Sequence, residues 1–107
     1  MSGEQNALEV FQSRRFEKAL SKLPDNECAV VEDAIDFVID NPTAGERKKG
    51  DLSYLRVYKF DLKGRQCLLG YSFNEGKLEL YLLSFGSHEN FYTEQKRHRT
   101  QDIKLVK

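Results

Sequence analysis

Apolar and polar positions follow two different periods along the chain, and the change of period splits it into two parts. From Ser13 onward, Phe16, Ala19, Leu20 and Leu23 recur at i, i+3, i+4 and i+7, the spacing of an amphipathic helix. Ser13 stands where an N-cap belongs, three residues ahead of the apolar stripe. Pro24 ends this helix, because a proline pushes the residue before it out of helical geometry. A second helix follows, with Asp25 or Asn26 as its cap. Cys28, Val31, Ala34, Ile35 and Val38 mark its buried face, while Glu32, Asp33, Asp36 and Asp40 point away. Asn41-Pro42 closes it. Two adjacent helices joined by a short turn predict an αα-hairpin.

Beyond residue 53 the period falls to two. Residues 54–62 (YLRVYKFDL), 65–74 (RQCLLGYSFN) and 77–85 (KLELYLLSF) predict three strands, separated by turns at Lys63-Gly64 and Glu75-Gly76. In the third, Leu78, Leu80 and Leu82 share one face, and Glu79, Tyr81 and Leu83 share the other. Residues 7–12 (ALEVFQ) alternate weakly and predict a first strand, with residues 1–6 frayed ahead of it. Residues 43–53 (TAGERKKGDLS) are polar and basic and predict a loop. Gly86 is followed by a polar, helical tail over 87–99, and residues 98–107 form a basic tail. The order β-α-α-β-β-β with a C-terminal helical tail predicts an α+β fold, two helices packed on one face of a mostly antiparallel sheet. The other sheet face is expected to stay partly open, a natural binding surface between basic loops.

Composition narrows this to one domain. A chain of 107 residues buries one modest core, and its 39% hydrophobic and 32% charged residues suit a globular protein. The longest apolar runs, residues 67–70 and 80–83, are far too short to cross a bilayer. The opening MSGEQNALEV has neither a basic n-region nor an apolar h-region, so no signal peptide, no membrane and a cytoplasmic location are expected. Cys28 and Cys67 lie far apart with no metal-type spacing. Each sits in an apolar pattern and is expected to be a buried thiol, without a disulfide. No metal or other cofactor is implied. The net charge is zero but unevenly spread: residues 1–46 hold 4 Lys/Arg against 10 Asp/Glu, a net of −6, and residues 47–107 hold 13 against 7, a net of +6. Such asymmetry suggests one basic face for phosphate or for an acidic partner.

Four local features in this order resemble the RelE/ParE toxin superfamily. They are the helical stretch RRFEKALSKL with a second helix after it, the exit IDNPTAGERKKGDL, the strand pair LRVYKF and LLGY, and the last strand ending in LLSFGSHENFY. The resemblance spans about residues 7–97, and its most specific segment is the last. It implies a compact α+β domain with a curved sheet. It also implies metal-free cleavage of mRNA on the ribosome, or in a minority branch poisoning of DNA gyrase, and a small antitoxin as partner.

Metal-free RNA cleavage uses the 2′-hydroxyl of the substrate as nucleophile and needs a base, an acid and cations around the phosphate. Histidine suits the proton transfers, since its unperturbed pKa lies near neutrality. His88, just past the last strand, resembles the catalytic histidine in the GTH-type motif of the YafQ-like branch. Tyr92 resembles the tyrosine or phenylalanine that follows in the same segment, where relatives stack a base; Phe91 is instead expected to pack the tail onto the sheet. Arg56 resembles a basic position that relatives use on the phosphate backbone, and Tyr58 shares its strand face. These assign catalysis to His88, Tyr92 and Arg56. Lys48, Lys49, Tyr58, Arg65, Lys96 and Arg97 are candidates for RNA binding; ordinary solvation is the competing reading for the lysines. Glu89 could act as a base beside His88, but fits better as an early-turn acid capping the tail helix.

The chain also departs from the family pattern. Tyr58 stands where the RelE branch has a lysine, Leu68 where many members have an arginine, and Asn41 where the YafQ-like branch has a histidine. No branch's full catalytic set is present. A gyrase inhibitor and a catalytically degenerate binding protein are therefore the alternatives to an mRNA endoribonuclease.

Overall fold

The computed structural model describes residues 8–106. The frayed stretch expected over residues 1–6 lies outside them. The elements run β1 (Glu9–Gln12), α1 (Arg14–Ser21), α2 (Asp25–Asp40), β2 (Glu46–Arg47), a 3₁₀ turn (Gly50–Leu52), β3 (Arg56–Leu62), β4 (Arg65–Asn74), β5 (Glu79–Ser87), α3 (His88–Arg97) and α4 (Arg99–Val106). No described helix is long and apolar enough to cross a membrane.

The start of α1 follows from Ser13. Its Oγ accepts the Phe16 N–H at 3.0 Å and donates to the Leu83 carbonyl at 2.8 Å, so the cap also fixes the helix start to the sheet. The start of α2 differs from expectation. Pro24 is the N-cap and makes no side-chain hydrogen bond, and Asp25 is already helical. Asp25 and Glu27 instead place negative charge in the first turn, where the helix dipole favours it. Asn41 closes α2 as expected, and its Nδ2 donates to the Phe37 carbonyl at 3.0 Å.

The strands form one sheet in the order β1-β5-β4-β3-β2. β3, β4 and β5 are the antiparallel meander, β1 adds parallel to β5, and β2 adds antiparallel to β3. β2 falls inside the stretch expected to be all loop. β5 begins two residues later than its alternation suggested, because Leu78 takes a left-handed conformation (φ 53°) in the turn before it.

α1 and α2 cover one sheet face over a core of Phe16, Ala34, Val38, Leu69, Tyr71, Leu80 and Leu82. The expectation of an open opposite face does not hold. Leu52, Leu55, Val57, Leu68, Tyr81, Leu83 and Phe91 form a second buried cluster there, under α3. β5 is apolar on both faces, which is why one strand serves two cores. A bulge opposite Gly70–Tyr71 skips Leu83, so that Leu83 and Ser84 both lie on the α3 side and Phe85 turns to the first core. Gly70 is required by this layering: a Cβ there would lie 2.6 Å from Phe91 Cζ. Of the two thiols, Cys67 is buried and Cys28 only half-buried, at the solvent edge of α2, so the expectation of burial fails for Cys28.

The segment expected to be a basic tail is helical over Arg99–Val106, and a polar network holds it to the domain. Arg15 donates twice to the buried Asp102 carboxylate, at 3.1 and 3.0 Å. Gln95, also buried, donates to Asp102 at 2.6 Å and to the Tyr54 hydroxyl at 2.9 Å, and accepts from Ser84 at 2.6 Å. α1, β5, α3 and α4 are thereby joined through side chains up to 87 positions apart in sequence.

Candidate functional site

Strand alternation decides which polar residues meet. Val57 faces α3 and Tyr58 faces α2, so their neighbours divide in the same way. In β2, Glu46 lies opposite Val57 and Arg47 opposite Arg56. Glu46, and Lys48 two residues on, therefore share the α3 side. Lys48 Nζ lies 3.0 Å from Glu46 Oε1 and 5.3 Å from the centre of the Tyr92 ring. Tyr92 first, and Glu46 second, hold the Lys48 ammonium above the ordinary lysine pKa, while Lys48 pulls the Glu46 carboxyl below its usual range. At neutral pH this is a cation clasped between a carboxylate and an aromatic ring.

α3 supplies the rest. His88 is its first residue, exposed, with its ring edge-on to Tyr92 at 6.1 Å between centroids. Residues four apart lie on one helix face, so His88, Tyr92 and Lys96 form a row. The buried Phe91 fixes Tyr92 edge-on at 5.1 Å. Ser87 caps α3 without a side-chain hydrogen bond, which leaves the first-turn amides without a side-chain acceptor. Gly86 lies beside this end of the helix, and a Cβ there would meet nothing within 4 Å. The floor at that point is open backbone. Lys59 lies in register with Leu68 and Gly86 on the same side and is exposed. An anion resting on the Gly86 floor would find cations on two sides, helix amides at one end and an imidazole at the rim.

The structure thus brings together His88, Tyr92, Lys96 and Lys48, with the exposed Lys49 next along the chain. It separates Arg56, Tyr58 and Arg65 from them. Arg56 donates to the carbonyls of Gly45 at 2.9 Å and Thr43 at 3.3 Å, which ties down the stretch from α2 to β2. Tyr58 stacks on Phe37 of α2 at 5.0 Å. Arg65 shares the α2 face with Cys67 by alternation and is exposed. One continuous basic face holding Arg56 with His88 and Tyr92 is not what forms. Arg97 is paired with Glu94 at 3.3 Å on another flank of α3. Sequence reasoning missed Glu46 and Lys59. The alternation of RVYKF already put Lys59 on the face of Val57, whereas the place of Glu46 needed the register of a two-residue strand. Among the described residues no three His, Cys, Asp or Glu side chains gather closely enough to hold a metal ion.

A single five-stranded sheet with helices on both faces, and a cationic, histidine-bearing cleft at the start of α3, defines a small α+β domain. Residues 10–96 match the model of the ParE-like toxins of type II bacterial toxin–antitoxin systems, and the chain belongs to that family. Its fold is that of the E. coli toxin RelE. A doubly substituted RelE in the free state superposes with a TM-score of 0.65 at 18% identity, covering 91% of this chain and 98% of that one. A chain of the intact E. coli RelBE toxin–antitoxin complex gives a TM-score of 0.60 at 20% identity, covering 76% and 96%. No curated protein matches the chain in sequence.

Proposed function

We propose that this toxin is a metal-free mRNA endoribonuclease acting on the ribosome, with His88 as its general acid or base. The observation that carries the reading is the meeting of His88, Tyr92 and Lys48 beside the open Gly86 floor. In the reaction the 2′-oxygen of one nucleotide forms a bond to the adjacent phosphorus as its proton is removed. The bond from phosphorus to the 5′-oxygen breaks, and that oxygen takes up a proton. The products are a 2′,3′-cyclic phosphate and a 5′-hydroxyl end. His88 can exchange one of these protons with an RNA laid across the floor, being exposed and without a hydrogen bond to another side chain among the described residues. Lys48, with Lys59 and Lys96 nearby, offsets the charge that gathers on the phosphate oxygens in the transition state. Tyr92 presents an aromatic ring for an unstacked base and steadies Lys48.

In this reading the partners are mRNA, the ribosome and a cognate antitoxin, in the cytoplasm. A partner antitoxin is supported by family membership, and the RelE neighbour is solved in complex with its own. Induced expression of wild type and His88→Ala, with primer extension on an abundant message, tests the reading. Growth arrest with new cuts that vanish in His88→Ala is the expected result. Arrest without cuts would overturn it in favour of gyrase, and no arrest would point to a degenerate toxin that only binds.

A further inference from the structure

We propose that the groove between α1 and α3 is a docking site for an acidic amphipathic helix of a protein partner. The groove encloses about 1110 Å³ on the flank of the domain. Ala19, Leu23 and Phe85 supply its apolar lining, and Arg14, Lys18 and Lys22 its cationic rim.

No ion pair among the described residues accounts for the rim. All four cations of residues 1–46 fall on α1 and its C-cap, in a segment otherwise holding ten acids. Arg15 is accounted for by Asp102. Arg14, Lys18 and Lys22 have no ion-pair partner among the described residues. Arg14 opens α1, where the dipole disfavours positive charge; Lys18 and Lys22 sit at the C-terminal end, where it favours them, but the three repel one another at i, i+4 and i+8. On the opposite wall Glu94 is already taken by Arg97 at 3.3 Å and faces His98 at 3.6 Å, so it does not neutralise the row.

Cations four residues apart are spaced by about 6 Å along a helix. Glutamates at i, i+4 and i+8 of a second helix repeat at the same interval, and the apolar stripe of that helix would cover Ala19, Leu23 and Phe85. Single-stranded RNA fits less well. Its binders offer aromatic faces for stacking, whereas of the groove's two aromatic rings Phe85 is packed edge-on to Phe16 at 5.4 Å and His98 faces Glu94 at 3.6 Å. The proposal specifies a surface for the protein partner inferred above. Its test reads binding alone, so it fails or stands separately from RNA cleavage at His88.

The probe is a synthetic helical peptide with a leucine stripe flanked by glutamates at i, i+4 and i+8, titrated into the full chain by fluorescence anisotropy. A matched peptide carries glutamine in place of glutamate, and a short oligouridylate is the RNA control. We expect the glutamine peptide to bind at least tenfold more weakly, and the R14E/K18E/K22E variant to lose the glutamate peptide by a similar factor. R14Q/K18Q/K22Q serves if charge reversal perturbs folding. Equal binding of the two peptides, equal binding by wild type and variant, or loss of oligouridylate binding alone would overturn the proposal.

Discussion

The two faces of the sheet are both buried, yet they use their polar groups in opposite ways. On the α2 side the polar groups where α2 passes into β2 have structural partners. The Tyr71 hydroxyl donates to the Pro42 carbonyl at 2.7 Å and accepts the Gly45 N–H at 2.8 Å, and Arg56 donates to the carbonyls of Thr43 and Gly45. On the α3 side the polar contacts are concentrated at one end, around Gln95 and Asp102. At the other end His88 and Lys96 have no hydrogen-bonding partner within the described chain. Lys48 has only the exposed Glu46 and the Tyr92 ring. Saturated polar groups hold a fold, and unsaturated ones at the rim of a covered face remain available to a ligand. By that criterion the proposed function belongs at the start of α3, while the strand arginine Arg56, attractive in sequence, braces the stretch from α2 to β2.

His88→Ala breaks the comparison hardest. A lost general acid or base costs about 100- to 10,000-fold in cleavage rate, and an exposed side chain should leave the melting temperature unchanged; both are read from purified protein with an RNA substrate on ribosomes. Asp102→Ala strikes the anchored end instead. It strips Arg15 and Gln95 of their shared acceptor and should cost roughly 3 kcal/mol in urea unfolding, with α4 the first element to lose amide protection. Arg56→Ala should cost only about 1 kcal/mol and keep cleavage near the wild-type rate, where the RNA-contact reading demands a loss of activity. Glu46→Gln should sharpen the picture in the other direction. Freed from its carboxylate, Lys48 should bind RNA more tightly, by roughly two- to fivefold, measured by filter binding at low salt.

The smallest effect is one of pH. Burial raises the Tyr71 pKa, partly offset by the Gly45 N–H, so its folded value lies above its unfolded one. The stability it contributes is fully present below the unfolded pKa of about 10 and is lost as pH rises through the folded value. Tyr71→Phe should therefore show a shallower alkaline loss of stability in denaturant titrations at stepped pH.

Much of the α2 side was legible in the sequence. The stripe from Phe16, the Ser13 cap and the three alternating strands are local signals, and each acts within a few residues of its cause. The α3 side was not. Residues 99–106 carry only one apolar pair at helical spacing, Ile103 and Val106, too little to announce a helix; the segment docks through Asp102 to Arg15, a pairing no local window contains. The second core was hidden because Leu52, Leu55, Val57 and Phe91 come from three separate segments, and its strand partners looked like one face of an ordinary amphipathic strand. His88 and Tyr92 were singled out through the motif they share. That Lys48 would join them and Arg56 would not depended on the register of β2 with β3, which a two-residue strand scarcely announces.

The most direct measurement is an amide and side-chain NMR titration of the full chain with a short RNA whose 2′-hydroxyls are methylated, so that it binds without being cut. If the α3 rim is the site, shifts should cluster on Lys48, Lys59, Gly86, His88, Tyr92 and Lys96, while Arg56, Tyr58 and Arg65 stay still. Shifts centred on Arg56 and Tyr58, with His88 and Tyr92 unmoved, would contradict the account.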